Sequence, residues 1–333
     1  METLTEDEFC FPQLSNTSCK KLQQHYAEHI FIYFLLSCIS LLTATLNLLV
    51  IISISHFRQL HTPTNFFLLS LAVSDFLVGL LLMPTRILQT GGCWYLGSSM
   101  CGLFNYFSYI ITSASVGNMV LISADRYVAI CDPLHYPNKV TLGKVKVCVC
   151  LCWACSVFYN GLILKEFLKN PDKYNFCYGE CVLLFDYITQ AFDLIITFVS
   201  PITVITVLYM RVFVVAVSQA RAMRSHVAAV TVSQKGSAPV STKKSERKAA
   251  TVLGVVVIVF VTSFCPYFLP AFAGMNLITN QEISVFLVWL FYCNSCLNPI
   301  IYAVFYPWFR KSIKHIVTLQ ILQPDSCETV VMW

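Results

Sequence analysis

Residues 31–54 read FIYFLLSCISLLTATLNLLVIISI. Those 24 residues contain no Asp, Glu, Lys or Arg. About 20 apolar residues carry a helix across a ~30 Å hydrocarbon core. Six further apolar stretches follow, at about 66–88, 102–124, 147–168, 187–215, 251–275 and 284–306. The 333-residue chain is 57% hydrophobic and 12% charged, against about 25% charged in soluble domains. Too little polar sequence remains to cover seven such helices in water. The expected fold is an all-α membrane protein, a bundle of seven transmembrane helices over 31–306.

The flanks set the orientation. Residues 1–30 are acidic at first (Glu2, Glu6, Asp7, Glu8) and have no apolar core of their own, so the first stretch is expected to act as its own insertion signal. With the N-terminus outside, 16 of the 22 Lys and Arg residues fall on the inner side. The positive-inside rule then makes 1–30 an extracellular tail and 307–333 cytoplasmic, in a multi-pass plasma-membrane protein. Asn16-Thr17-Ser18 is a glycosylation sequon on the outer side. The one long loop, about 218–248, is basic, lies inside, and is expected to be loose around Gly236–Pro239. After the seventh stretch, Phe309, Ile313, Ile316 and Val317 recur at helical spacing, with Arg310, Lys311 and Lys314 on the other face. That pattern predicts a short amphipathic helix on the inner leaflet.

Sixteen cysteines sort by compartment. Cys10, Cys19, Cys93, Cys101, Cys177 and Cys181 lie outside or at the outer edge, where disulfides form. Cys148, Cys150, Cys152 and Cys155 crowd the fourth stretch without a His or carboxylate, as polarizable packing residues do.

The polar residues inside the apolar stretches carry the functional signal. In the fifth stretch Asp186, Thr189, Asp193, Thr197 and Ser200 step by three and four, so they share one face of a helix. A carboxylate at membrane depth costs about 3 kcal/mol on insertion scales and marks a functional site. In the third stretch Asn105, Ser108, Thr112 and Ser115 form a polar but uncharged stripe that leads on to Arg126. Asp75 lies mid-membrane in the second stretch. The sixth offers Phe264, Tyr267 and Phe268, and the seventh Trp289, Tyr292, Asn294, Ser295 and Asn298. An outer cavity lined by Ser108, Thr112, Asp193, Tyr267, Phe268, Trp289 and Tyr292 would suit a small cation, through one carboxylate and cation–π contacts. The plainer reading makes Asp193 a protonated group bonded to neighbouring hydroxyls. Arg86, near the outer end of the second stretch, is expected to snorkel outward. Its alternative is to pair with a ligand acid or a loop carboxylate.

These landmarks, with Asn47, LAVSD ending at Asp75, ADRYVAICDPLHY, Trp153, Pro201, SFCP and NPIIY, resemble the rhodopsin-like G-protein-coupled receptors from about residue 30 to 317. The run NSCLNPIIYAVFYPWF, 294–309, is similar to the fingerprint of the trace amine-associated receptors. The resemblance implies a chemosensory receptor for small cationic amines, olfactory in most of the family. It implies signalling through a heterotrimeric G protein, of the stimulatory type that raises cyclic AMP. Arg126 would pair with Asp125 and Glu246 when inactive. Tyr209 and Tyr302 would turn inward on activation. Asp75, Ser115, Asn294 and Ser295 would hold an allosteric sodium ion; no other cofactor is implied. Cys101 would bridge to Cys181, and Cys177 to the N-terminal tail, at Cys19 rather than Cys10. Cys10 and Cys93 would then pair or stay free.

Two departures stand out. Most amine receptors carry an aspartate on the third helix where this chain has Ser108. It resembles instead the fish-type members whose amine-binding acid is on the fifth helix, at Asp193. Phe264 replaces the usual tryptophan of the sixth helix. No enzyme is implied: the chain has no His-Glu metal motif, phosphate loop or nucleophile elbow. No nucleic-acid partner is expected, and lipid is the surrounding solvent. The alternative function is the same receptor fold with a non-amine ligand and Asp193 structural or protonated.

Overall fold

The computed structural model describes residues 9–14, 16–21, 26–173, 175–230, 254–268 and 281–331. The expectations for Glu246 and for Gly236–Pro239 lie outside those residues. Among the described residues, eight helices of 11 residues or more organise the chain. α1 is Tyr26–His56, α2 Pro63–Gln89, α3 Gly97–Cys131 and α4 Leu142–Ile163. α5 begins at Tyr187 and runs to Val230, α6 is Gly254–Phe268, α7 Gln281–Phe305 and α8 Pro307–Val317. Among the described residues, six of the first seven are long and apolar enough to cross a membrane, and the described part of α6 is a shorter apolar helix. Helices are what lipid demands, because each backbone N–H and C=O must find its partner within the segment.

Local sequence sets the helix starts. Thr62 caps α2: its Oγ1 accepts from Asn65 N at 3.3 Å, with Pro63 in the first turn, where its missing N–H costs nothing. Asp186 caps α5, accepting from Thr189 N at 3.0 Å and Thr189 Oγ1 at 2.6 Å. Asp186 is therefore exposed at the helix end, and not part of an inward stripe as its spacing suggested.

Two helices contain a five-residue π turn, Val78–Leu82 in α2 and Ile195–Val199 in α5. A π turn holds one residue more than an α turn and breaks the three-four stepping of a polar face. Ser200, beyond the α5 turn, accordingly faces outward and is exposed. In α2 the turn coincides with close packing. A Cβ on Gly79 would stand 2.6 Å from the Ala44 nitrogen of α1.

The core has a large cluster toward α8, including Ile54, Leu71, Met119, Ile122, Phe260 and Tyr302. A smaller one at the opposite end includes Leu36, Met83, Ile111 and Trp289. Polar tethers tie the helices together. Asn47 Nδ2 donates to Ser295 O at 2.9 Å, and Trp153 Nε1 to Ser70 Oγ at 3.0 Å. Large apolar side chains such as Phe34, Leu41, Phe158 and Phe213 face outward, as lipid contact requires. In α8, Trp308, Phe309 and Ser312 are buried and Ile313 packs on the core. Val317, expected on that face, is 71% exposed, because the helix ends there.

The end opposite α8 is covered by a disulfide-laced lid. Cys101 is bonded to Cys181, Cys19 to Cys177, and Cys10 to Cys93. The third bond settles the two cysteines that the sequence left open. Backbone bonds stitch the same pieces: Cys19 N to Tyr178 O at 3.0 Å and Trp94 N to Gly179 O at 2.7 Å. Gly179 has φ +98°, and a Cβ there would meet the Phe11 ring at 2.8 Å. Only glycine serves this turn without strain. Clustering of all three bonds at this end fits an oxidising exterior.

Candidate functional site

Beneath the lid, α2, α3, α5, α6 and α7 enclose a cavity of about 100 Å³. Ser108 and Thr112 line it from α3, Asp193 from α5, and Tyr292 from α7. Phe264, Tyr267 and Phe268 supply the α6 wall. The rings interlock. Phe264 and Phe291 have centroids 4.2 Å apart, and Tyr267 lies 5.1 Å from both Phe268 and Phe291. Drug-sized sites run to about 300–1,000 Å³, so this cavity suits a compact ligand.

Asp193 is half-buried. Its Oδ1 accepts a 2.9 Å hydrogen bond from the Tyr159 hydroxyl of α4. Thr197 Oγ1, one turn on, donates to the Asp193 backbone carbonyl at 2.7 Å, which locks the start of the π turn. Among the described residues the carboxylate has no ion-pair partner. Ser108 Oγ is buried and also lacks a hydrogen-bond partner among the described residues. The cavity thus presents a carboxylate, a free hydroxyl and an aromatic wall.

Two expectations need correction. Trp289 does not join this cavity. It lines a second, outer one of about 300 Å³ with Gln89, Trp94 and Glu180. Arg86 does not snorkel outward but lines both cavities. Its Nη1 donates to Gln89 Oε1 at 2.8 Å and its Nε to the Tyr292 hydroxyl at 3.5 Å, and its guanidinium lies 5.0 Å from the Phe104 ring centroid. These neutral partners hold it inside the bundle in place of a route to the surface. Tyr159, Tyr109 and Phe291 were not anticipated. An isolated tyrosine in an apolar stretch carries no signal that separates a pocket residue from a membrane-interface one.

Deeper in the bundle, Asp75 is fully buried. It accepts from Ser295 Oγ and from Asn298 Nδ2, each at 2.8 Å. Ser115 and Asn294 are buried as well, and the Oδ1 atoms of Asn294 and Asn298 lack partners among the described residues. The Asp75 carboxylate, with the Ser295 hydroxyl and the Asn298 amide against it, is a donor set that fits a hard cation.

At the α8 end, Arg126 Nε donates to Asp125 Oδ2 at 3.0 Å, and Arg126 also bonds Thr64 Oγ1. Tyr136 donates to Asp125 Oδ1 at 2.7 Å and Thr64 to Asp125 Oδ2 at 3.0 Å. Burial, then the adjacent Asp125 charge, pushes the Tyr136 phenol up from its ordinary value. The Tyr209 and Tyr302 hydroxyls are buried without partners among the described residues. Buried, unmet hydroxyls cost about 1–3 kcal/mol each, so both side chains gain from any rearrangement that gives them partners. On the loop that follows α3, Asp132 is bonded by Lys139 Nζ and His135 Nδ1, each at 2.7 Å, which holds its carboxyl down at about 2. Asn16 of the sequon is exposed on the lid.

A family model described as 7 transmembrane receptor (rhodopsin family) matches residues 46–302. Trace amine-associated receptor 13c of Danio rerio is 38% identical over 332 residues, covering 96% of this chain and 95% of that protein. Trace amine-associated receptor 9 of Rattus norvegicus is 39% identical over 332 residues, covering 97% of each. The protein of that name from Homo sapiens is 39% identical over 336 residues, covering 97% of this chain and 94% of that one.

Proposed function

The chain belongs to the rhodopsin family of seven-transmembrane receptors, among the trace amine-associated receptors, and on that footing we propose that it detects small amines whose ammonium pairs with Asp193. It is a multi-pass plasma-membrane receptor and not an enzyme. The observation that carries the proposal is a carboxylate that has no ion-pair partner among the described residues and faces an aromatic cavity under the lid. An ammonium there exchanges its water for one charge-assisted contact and several ring faces. Ser108 offers a hydroxyl but no charge, so the amine points toward α5 instead of α3.

The rest of the signalling reading follows. Ligand binding favours the arrangement in which the Arg126–Asp125 pair opens and Tyr209 and Tyr302 gain partners. Arg126 then contacts a G protein of the stimulatory type, and cyclic AMP rises. Sodium at Asp75, with Ser115, Asn294 and Ser295 around it, favours the resting arrangement. A chemosensory, olfactory role, Asn16 glycosylation and an extracellular N-terminus complete the proposal.

One observation favours a rival reading. Tyr159 already satisfies one Asp193 oxygen, so Asp193 could be a structural acid beside a neutral ligand. A cyclic-AMP reporter with a panel of amines, run on wild type, Asp193→Ala and Asp193→Glu, separates the two. Breaking a buried charge pair costs about 2–5 kcal/mol, so the alanine variant at normal surface expression should lose the amine response, and glutamate should keep part of it. An amine response that ignores both substitutions overturns the assignment.

A further inference from the structure

Resting on the amine reading above, we propose that the preferred ligand is amphoteric: a short ω-amino carboxylate, with its ammonium on Asp193 and its carboxylate on Arg86. The two residues line the same cavity, from α5 and α2. They do not pair with each other, and neither has an ion-pair partner among the described residues. Tyr109 and Tyr267, on the same cavity wall, lie within electrostatic reach of both charges. The cavity is therefore dipolar, with a negative end at Asp193 and a positive end at Arg86.

Among the described residues, Arg86 is held by neutral groups: Gln89, Tyr292 and the Phe104 ring. These orient the guanidinium without cancelling its charge. Glu180, which shares the outer cavity with Arg86, is engaged elsewhere, since its Oε2 accepts from Phe176 N at 2.7 Å. A half-buried charge without a counter-charge pays part of its desolvation cost unrepaid. A bare cation beside a site for ammonium also repels a simple monoamine. Both problems disappear if the ligand brings its own anion, which a guanidinium fork receives with two parallel hydrogen bonds. Arg86 also lines the outer cavity, so it meets a ligand's trailing group on the side that faces the lid.

The test is ligand-dependent thermal stabilisation of the purified, full-length receptor, which reads binding without G-protein coupling. The probes are ω-amino carboxylates of increasing chain length, each beside the n-alkylamine of equal length. One chain length should bind wild type at least about tenfold tighter than its alkylamine, the size expected of a charge-assisted hydrogen bond. Arg86→Gln should erase that preference while keeping or improving alkylamine binding, and Arg86→Lys should retain part of it. Alkylamines that bind wild type as tightly as every amino carboxylate would overturn the proposal. So would an Arg86→Gln or Arg86→Lys variant that weakens both classes equally. Asp193→Ala keeps the two proposals apart: undiminished binding of both classes there means that the amine assignment has failed, whatever Arg86 does.

Discussion

Tyr159 on α4 donates to Asp193 on α5 at 2.9 Å, and Thr197 on the next turn of α5 donates to the Asp193 backbone carbonyl at 2.7 Å. The candidate counter-ion is thus aimed by a neighbouring helix and anchored by its own. A carboxylate held in this way approaches an ammonium in a fixed direction, with little conformational freedom left to lose on binding.

Tyr159→Phe removes the aiming bond and leaves the ring. Hydrogen bonds to charged groups are worth about 1.5–3 kcal/mol. Amine potency should fall by about tenfold or more, but less than in Asp193→Ala. Concentration–response curves at matched surface expression measure this. Equal potency in Tyr159→Phe and wild type would mean that Asp193 needs no such support.

Asp75 tests the cation site. Agonist affinity in sodium should be lower than in a buffer with a large organic cation, by about fivefold or more. Asp75→Asn should abolish the difference, because the amide brings no charge to the oxygen cluster. Radioligand or thermal-shift binding in the two buffers is the measurement; an unchanged sodium effect in the variant would remove Asp75 from the site.

Cys10 and Cys93 make one bond, with Cα atoms 5.6 Å apart. Cys10→Ser, Cys93→Ser and the double variant should therefore lose the same stability, about 2–4 kcal/mol. Melting temperatures of the three variants decide it. A double variant clearly worse than either single would show that the two cysteines act separately.

Asp132 gives a pH prediction of known sign. Its carboxyl titrates at about 2, below its ordinary value, because Lys139 and His135 donate to it. A depressed folded value stabilises the loop above the unfolded pKa of about 4, and that contribution is lost as pH falls from about 4 toward 2. This carboxylate should therefore add no pH dependence to the order of residues 132–139 between pH 5 and 8, while Asp132→Asn should loosen them at neutral pH. Backbone relaxation of that segment by NMR reads both effects.

The seven apolar stretches could be read from composition because lipid permits so few alternatives. The residues that resist lipid, Asp75, Arg126 and Asp193, were legible for the same reason. Other features depend on tertiary geometry. Asp186 kept the helical spacing of its stripe, yet it is the residue at which α5 begins, so it caps the helix instead of facing inward. Arg86 looked like a surface-seeking cation until Gln89, Tyr292 and Phe104 proved to surround it. Trp289 has the right type and spacing for the inner cavity but stands one layer above it. Six outer cysteines permit 15 pairings, and spacing alone cannot choose among them. Tyr159 escaped because its one polar atom matters only through what it touches across a helix boundary.

The π turn at Ile195–Val199 has a consequence for how this receptor changes over time. It sits between Asp193 and the long inner part of α5, so it sets the rotational phase of one against the other. Losing a single residue there would restore a regular α-helix and swing the outer end by about 100°. The carboxylate would leave the cavity while Tyr209, on the inner part of α5, stayed within electrostatic reach of Arg126. A one-codon deletion would thus change what the receptor detects without touching how it reports.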